Sequence, residues 1–156
     1  MCVDWKITWI IVHPKERRDK CTVEPLRHDR RFAFCRYPQR PPSVEGYVRL
    51  SLEGPILSRS DAAQGLVILD GTWRWARVME KSYCDIPPRT LPRLQTAYPR
   101  RSKLFPDPDE GLATIEALYV AWWLQGRDVS GLLDRYPWGE DFLHKNAAFF
   151  AGGQRE

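Results

Sequence analysis

Gly65-Leu66-Val67-Ile68-Leu69-Asp70-Gly71-Thr72-Trp73 is the stretch on which the reading of this 156-residue chain turns. It is a continuous apolar run, entered by glycine and closed by an aspartate. A strand with no polar alternation must be covered on both faces, which is the signature of a central parallel strand. Asp70 then falls at the carboxyl end of that strand, followed by a glycine and a helix start, where open α/β sheets bind ligands. Asp70 can accept a proton or hold a ligand amine. Thr72 can cap the helix that follows. A simpler role, with Asp70 or Thr72 as caps only and Trp73 as core, stays open at this point.

Working outward, Trp5–Val12 (WKITWIIV) is β-branched and aromatic and predicts a first strand. Phe32–Tyr37 and Tyr47–Leu50 are weaker strand candidates, and Trp73–Lys81 reads as a short helix. Pro87, Pro88 and Pro92 enforce an irregular connection. Gly111–Leu124 (GLATIEALYVAWWL) is apolar almost all round and predicts a buried helix ended by Gly126. Val129–Tyr136 and Trp138–Phe150 predict two more helices, broken at Pro137, before a fraying AGGQRE tail. Strands, then strand and helix, then helices indicate an α/β domain with a helical C-terminal end. Pro38–Glu45 is the most linker-like segment, so a small N-terminal α/β part over residues 1–45 is expected beside a ligand-binding part over residues 46–156, the two packed as one unit.

Charge is unevenly placed. Residues 1–103 carry 20 basic and 11 acidic side chains, and residues 104–156 carry 4 basic and 9 acidic ones. A basic two-thirds joined to an acidic third points to a polyanionic partner for one face. The basic series comprises Lys15, Arg17, Arg18 and Lys20; Arg30 and Arg31; Arg74, Arg77 and Lys81; and Arg100, Arg101 and Lys103. Arg74, Arg77 and Lys81 share one helix face by spacing, and arginine forks suit phosphates. Tyr37, Tyr83 and Tyr98 are candidates to stack on unpaired bases. A merely solvated basic surface is the alternative.

No apolar run approaches the ~18 residues of a membrane span. The start MCVDWKITWIIVHP lacks a basic n-region and a small-residue cleavage site, so a cytoplasmic location is expected. Cys2, Cys21, Cys35 and Cys84 are widely spaced with no CxxC, so reduced thiols are expected and a zinc site is not. There is no P-loop, no GxSxG and no HExxH. His13-Pro14 fits neither a catalytic triad nor a metal site. Leu112-Ala113-Thr114-Ile115-Glu116-Ala117 opens the apolar helix after an acidic loop. Its free N–H groups can bind a carboxylate or phosphate, and the alternative is that Glu116 is only a carboxylate placed favourably against the helix dipole.

The motifs taken together resemble a known superfamily. Asp70-Gly71-Thr72-Trp73 with Arg74, Ala76 and Arg77 resembles the motif that names the DTW-domain family, which includes tRNA-uridine aminocarboxypropyltransferases. Leu112–Ala117 resembles its LSTxEA motif, and His13-Pro14-Lys15-Glu16 with Thr22 resembles its first-strand signature. Other segments look more like the sister family of small-subunit rRNA aminocarboxypropyltransferases. These are Asp19-Lys20-Cys21-Thr22 with Leu26, Ile56-Leu57-Ser58 with Asp61, Thr90-Leu91-Pro92-Arg93-Leu94, and above all Trp138–Asn146 (WGEDFLHKN). Asp70-Gly71-Thr72-Trp73 stands where that family usually has Asp-Cys-Ser-Trp.

The resemblance implies a SPOUT-like fold with a C-terminal trefoil knot around S-adenosylmethionine. It implies cofactor contacts at Thr22, Val67, Leu69, Leu91, Leu94, Leu112 and Thr114, many through the backbone, with Asp70 and Trp73 as the catalytic residues. The expected activity is transfer of the aminocarboxypropyl group to a uridine or pseudouridine in RNA, most readily small-subunit rRNA. Transfer to tRNA, an RNA methyltransferase on the same fold, and a non-enzymatic RNA-binding assembly factor are the alternatives. A monomer is expected, with no metal and no membrane partner.

Overall fold

Residues 5–15, 21–71, 73–99 and 111–152 are described by a computed structural model, with Trp73 described through its backbone alone. The apolar run of the 65–70 stretch forms a strand, and it lies inside a five-stranded, all-parallel sheet. In chain order the strands are β1 (Thr8–Val12), β2 (Phe32–Arg36), β3 (Tyr47–Leu50), β4 (Gly65–Asp70) and β5 (Pro88–Arg89). Across the sheet they run β2-β1-β4-β3-β5. Helix α1 (Trp73–Glu80) follows β4, and α2 (Thr114–Gln125), α3 (Gly139–Lys145) and α4 (Ala147–Gly152) follow β5.

The sheet is covered on both faces, as the sequence of β4 requires. Ile10, Leu66 and Ile68 pack against Ile115, Leu118, Ala121 and Trp122 of α2. Ile11 and Val67 pack against Met79, Tyr83 and Ile86 on the α1 side. Ile10, Ile11, Leu66 and Val67 are all fully buried. At the far end of the sheet the Trp122 indole N–H donates to Thr8 Oγ1 at 3.0 Å, and its ring stacks on Phe32.

β1 and β4 are neighbours, with Val12 opposite Asp70. The chain leaves β1 toward β2 on one side and leaves β4 through α1 toward β5 on the other. Their carboxyl ends therefore open a crevice, the arrangement that makes a ligand site in open α/β sheets. Strands from both sides of Pro38–Glu45 share this one sheet, joined by the β1–β4 pairing.

Several predicted boundaries shift. β1 begins at Thr8 rather than Trp5, and β2 ends at Arg36. α2 begins at Thr114 rather than Gly111, because Ala113 is extended with ψ at 154°. Its predicted end holds: Gly126 adopts φ +83° and closes the helix with its N–H on Trp122 and Trp123 carbonyls. The helix predicted over Val129–Tyr136 is instead a chain of turns, with i to i+3 bonds from Leu132, Asp134 and Tyr136. Gly131 sits there at φ +81°, which a right-handed helix cannot contain. The helix predicted over Trp138–Phe150 divides at Asn146 into α3 and α4. Asn146 is buried, and its amide exchanges two hydrogen bonds with the Gln95 backbone, at 2.8 and 2.9 Å. That pairing with a distant loop stops the helix.

Candidate active site

Asp70 ends β4 and is 2% exposed. Its carboxylate holds two donors. Cys21 Sγ donates to Oδ2 at 2.8 Å, and Thr114 Oγ1 donates to Oδ1 at 2.6 Å. Cys21 follows the β1 strand in the chain and Thr114 opens α2, so one carboxylate joins three segments. Burial pushes the Asp70 carboxyl above its usual range, while the two donors pull the other way. Burial, reinforced by the neighbouring Asp70 charge, pushes the Cys21 thiol far up, so it stays protonated and donates. Among the described residues no ion pair neutralises Asp70.

Thr22, next along the chain, caps α2 from outside it. Its Oγ1 accepts the Ile115 N–H at 3.0 Å, the role a local N-cap side chain ordinarily fills. Ala113, in the N-cap position, has no side chain able to do so. Glu116 completes the other half. Fully buried in the first turn, its Oε1 accepts from the Ala113 N–H at 2.8 Å and Thr96 Oγ1 at 2.6 Å. Its Oε2 accepts from the Ala97 N–H and the Tyr136 hydroxyl, both at 2.9 Å. Glu116 is thus the rivet between α2, the 94–98 segment and Tyr136, rather than a carboxylate merely facing the dipole. A cleft of about 190 Å³ adjoins this helix start, lined among others by Thr22, Leu26, Ile115, Leu132, Asp134 and Tyr136.

The other residues expected to touch a cofactor divide by position. Leu91 is partly buried between two apolar clusters, and Leu94 and Leu112 pack with Val120 and Phe142 beside α2. Val67 and Leu69 turn their side chains to the α1 side of the sheet, away from Asp70, so only their backbone can serve the Asp70 side. The side chain of Trp73, with Thr72, Arg17, Arg18, Arg100, Arg101 and Lys103, lies outside the described residues.

The remaining basic residues do not form one track. Arg74 and Arg77 are exposed along α1 and Lys81 in the 3-10 turn that follows it, and Arg77 and Lys81 border an open groove of about 440 Å³ with Arg49, Glu53, Glu80 and Cys84. Arg49 is bound there to Glu80 at 2.6 Å. Arg30 is exposed, whereas Arg31 is held by Asp29 at 2.7 Å and lies over Phe32 and Trp122. That is the amino end of the sheet, on the α2 side, so Arg31 and the α1 cations sit on different faces. Tyr83 is fully buried, with its hydroxyl pushed up to about 12 by burial, and cannot stack on a base. Tyr98 meets Trp138 edge-on.

Sequence reasoning gave no role of their own to two residues at this end of the sheet, although both lie in segments that carry the resemblance. Cys21 carries no signal of its own, because its partner is 49 positions away. His13 is buried and stacked on Trp75, with ring centroids 4.4 Å apart. The Pro after it and its place at the end of β1 marked it in the sequence, but nothing there reported the stack on Trp75. Among the described residues, no cluster of His, Cys, Asp and Glu could hold a metal ion, and no helix is long and apolar enough to cross a membrane.

No family model matches the sequence, and comparison with curated proteins finds no similar one. Among solved structures the chain is similar to the SAM-dependent rRNA:acp-transferase Tsr3 from Vulcanisaeta distributa, with a TM-score of 0.72 at 20% identity. That match covers 94% of this chain and 83% of the other. The likeness is one of fold.

Proposed function

We propose that the chain is an S-adenosylmethionine-dependent transferase that places an aminocarboxypropyl group on a uridine or pseudouridine of RNA, with small-subunit rRNA as the substrate. The observation that carries the reading is the Asp70 carboxylate, clamped by Cys21 and Thr114 at the crevice between β1 and β4 and without an ion-pair partner among the described residues. It occurs on a fold similar to that of an rRNA:acp-transferase. The reading includes the SPOUT-like form of that fold, with its trefoil knot.

The residues present fit the cofactor. A buried carboxylate with no ion pair among the described residues is relieved by a cation, and the cofactor carries an ammonium and a sulfonium. Each Asp70 oxygen keeps a second lone pair beyond the donor it already holds. Leu91, Leu94 and Leu112 offer apolar surface to an adenine. When bound, S-adenosylmethionine supplies an electrophilic aminocarboxypropyl carbon, with methylthioadenosine as leaving group. The protein's part is positioning. Asp70 holds the amino group, because its burial and its two fixed donors suit a counter-charge better than a mobile base. Thr22 and Glu116 fix the first turn of α2, so Thr114 meets Asp70 in one geometry. Trp73 is assigned to pack on the aliphatic chain and select the orientation that exposes this carbon rather than the methyl. Arg74, Arg77 and Lys81 hold RNA phosphates.

The test is incubation of the protein and small-subunit rRNA with cofactor labelled separately on its methyl and carboxyl carbons. Carboxyl label entering the RNA is the expected result. Methyl label alone would make the chain a methyltransferase, and neither label would leave the RNA-binding factor as the better reading.

A further inference from the structure

Across the end of β4 from the Asp70 clamp, on the α1 face of the sheet, stands an aromatic column that the proposed reaction does not use. Tyr37, His13 and Trp75 form one near-parallel stack. The His13 ring lies 5.6 Å from Tyr37 at 18° and 4.4 Å from Trp75 at 17°. The His13 N–H donates to the Asp70 carbonyl at 3.2 Å, so the column rises directly from the end of β4. A Cβ on Gly71 would meet the Cβ atoms of Trp75 and His13 at 3.3 and 3.6 Å, so the column stands on the α1 face of this strand end and the clamp on the α2 face, with the backbone of Asp70 and Gly71 between them.

The column is built as a surface rather than as core. His13, in the middle, is buried, while Tyr37 and Trp75 at its ends are partly buried, Tyr37 against the α1-side core. His13 is also fixed chemically. Its Nδ1 accepts the Lys15 N–H at 3.1 Å, and burial together with Lys15 lowers its pKa, so the ring stacks in its neutral form. Over the Trp75 ring lie two exposed cations, Lys15 Nζ at 5.1 Å and the Arg74 guanidinium at 5.8 Å. A rigid indole with two long basic side chains lying over its ring matches the chemistry of a single nucleotide, whose flat base displaces them toward its own phosphates.

We infer that Trp75, backed by His13 and Tyr37, is a stacking platform for an unpaired base flanking the modified nucleotide, with Lys15 and Arg74 binding the adjoining phosphates. This rests on the proposed reading of the Asp70 site as acting on RNA. A target nucleotide presented to Asp70 must leave its own stack, and its neighbour then loses a stacking partner. Trp75 replaces that partner a few residues away from the chemistry. An acidic protein partner would use the two cations but gain nothing from a flat three-ring column.

The experiment measures binding of a labelled 12-nucleotide oligouridylate, and of an abasic ribose-phosphate strand of the same length, by fluorescence anisotropy. The wild-type protein should bind the oligouridylate more tightly. Trp75→Ala should weaken that binding by about 5- to 150-fold and leave the abasic strand unaffected, and Trp75→Phe should restore most of the loss. Lys15→Ala should weaken both strands and reduce the slope of log affinity against log salt by about 0.7. Unchanged oligouridylate binding by Trp75→Ala would overturn the platform, as would equal wild-type affinity for the two strands. So would polyglutamate competing as well as the oligouridylate. If Trp75→Ala fails to fold, Trp75→Phe and Lys15→Ala carry the test, since neither removes core. Calorimetry with S-adenosylmethionine separates the two proposals. Trp75-dependent base binding without cofactor binding would sink the transferase reading alone, and transfer insensitive to Trp75 would sink the platform alone.

Discussion

Glu116 should tolerate no replacement, not even by its own amide. The two carboxylate oxygens accept one backbone N–H each, from Ala113 and Ala97, and one hydroxyl each, from Thr96 and Tyr136. In Glu116→Gln one oxygen becomes an NH2 group. The facing hydroxyl can turn and accept, but the backbone N–H on that side cannot. Whichever way the amide flips, two N–H groups confront each other in a site of zero exposure. The loss is one charge-assisted hydrogen bond, about 1.5–3 kcal/mol, plus a stranded buried donor at about 1–3 kcal/mol, so roughly 2.5–6 kcal/mol in all. With a urea slope of about 2 kcal/mol/M the unfolding midpoint should fall by ~1.2–3 M. Glu116→Ala, which strands all four donors, should cost more, and Tyr136→Phe, which removes one donor and strands none, only about 1–2 kcal/mol. Urea unfolding followed by tryptophan fluorescence reads all three. A Glu116→Gln midpoint within ~0.3 M of the parent, or a Tyr136→Phe loss larger than that of Glu116→Gln, would refute the geometric argument.

Asp70→Asn should behave oppositely for stability and for ligand. Its pKa is raised on folding, so the native state binds that proton more tightly than the unfolded chain does. The ionised group then costs stability above the raised value, and the cost disappears as pH falls toward the ordinary carboxylate range. Asp70→Asn should therefore melt at or above the parent temperature at pH 8, with the difference shrinking on acidification, while calorimetry shows at least ~10-fold weaker binding of S-adenosylmethionine; a lowered melting temperature together with parental affinity would contradict both halves. His13 has a lowered pKa, so the folded state resists its protonation, and its contribution should be lost as pH falls through 6.5; His13→Phe should flatten that part of the stability profile. Gly65→Ala would push a methyl to 2.4 Å from the Tyr47 ring, which is tied by its hydroxyl to the Ile7 carbonyl at 2.8 Å. About 1–3 kcal/mol of overpacking is expected, read as a drop in melting temperature, and an unchanged transition would show that the ring moves freely.

What was legible in the sequence was local. The limits of β4 could be read because a strand buried on both faces has a continuous apolar run with sharp ends, and the end of α2 because Gly126 is the residue a left-handed cap favours. Asp70 stood out by its place at a strand end. The pattern misled over Val129–Tyr136, where apolar residues recur at helical spacing but Gly131 adopts φ +81°. It misled also at Tyr83, whose neighbours look polar while its ring fills the space under α1. The clamp itself was hidden, because no periodicity reports that Cys21 and Thr114 meet on one carboxylate. Likewise Arg31 reads as one more cation in a basic series, and only the sheet direction reveals that it lies over Trp122.

The contacts that hold α2 have a consequence for how the chain acquires its activity. Thr22 reaches Ile115 across 93 residues, Asp70 reaches Thr114 across 44, and Thr8 reaches Trp122 across 114. A ribosome releases the chain amino end first, so β1, β4 and the Asp70 carboxylate emerge well before the helix that completes their surroundings. Until then the buried acid lacks one of its donors, and α2 is absent from one face of the sheet. The nascent protein therefore has no finished Asp70 site to offer, and on the proposed reading cofactor binding becomes a report that synthesis has reached the last third of the chain. Truncations within residues 111–152 should be silent rather than partly active, however much of the sheet they leave intact.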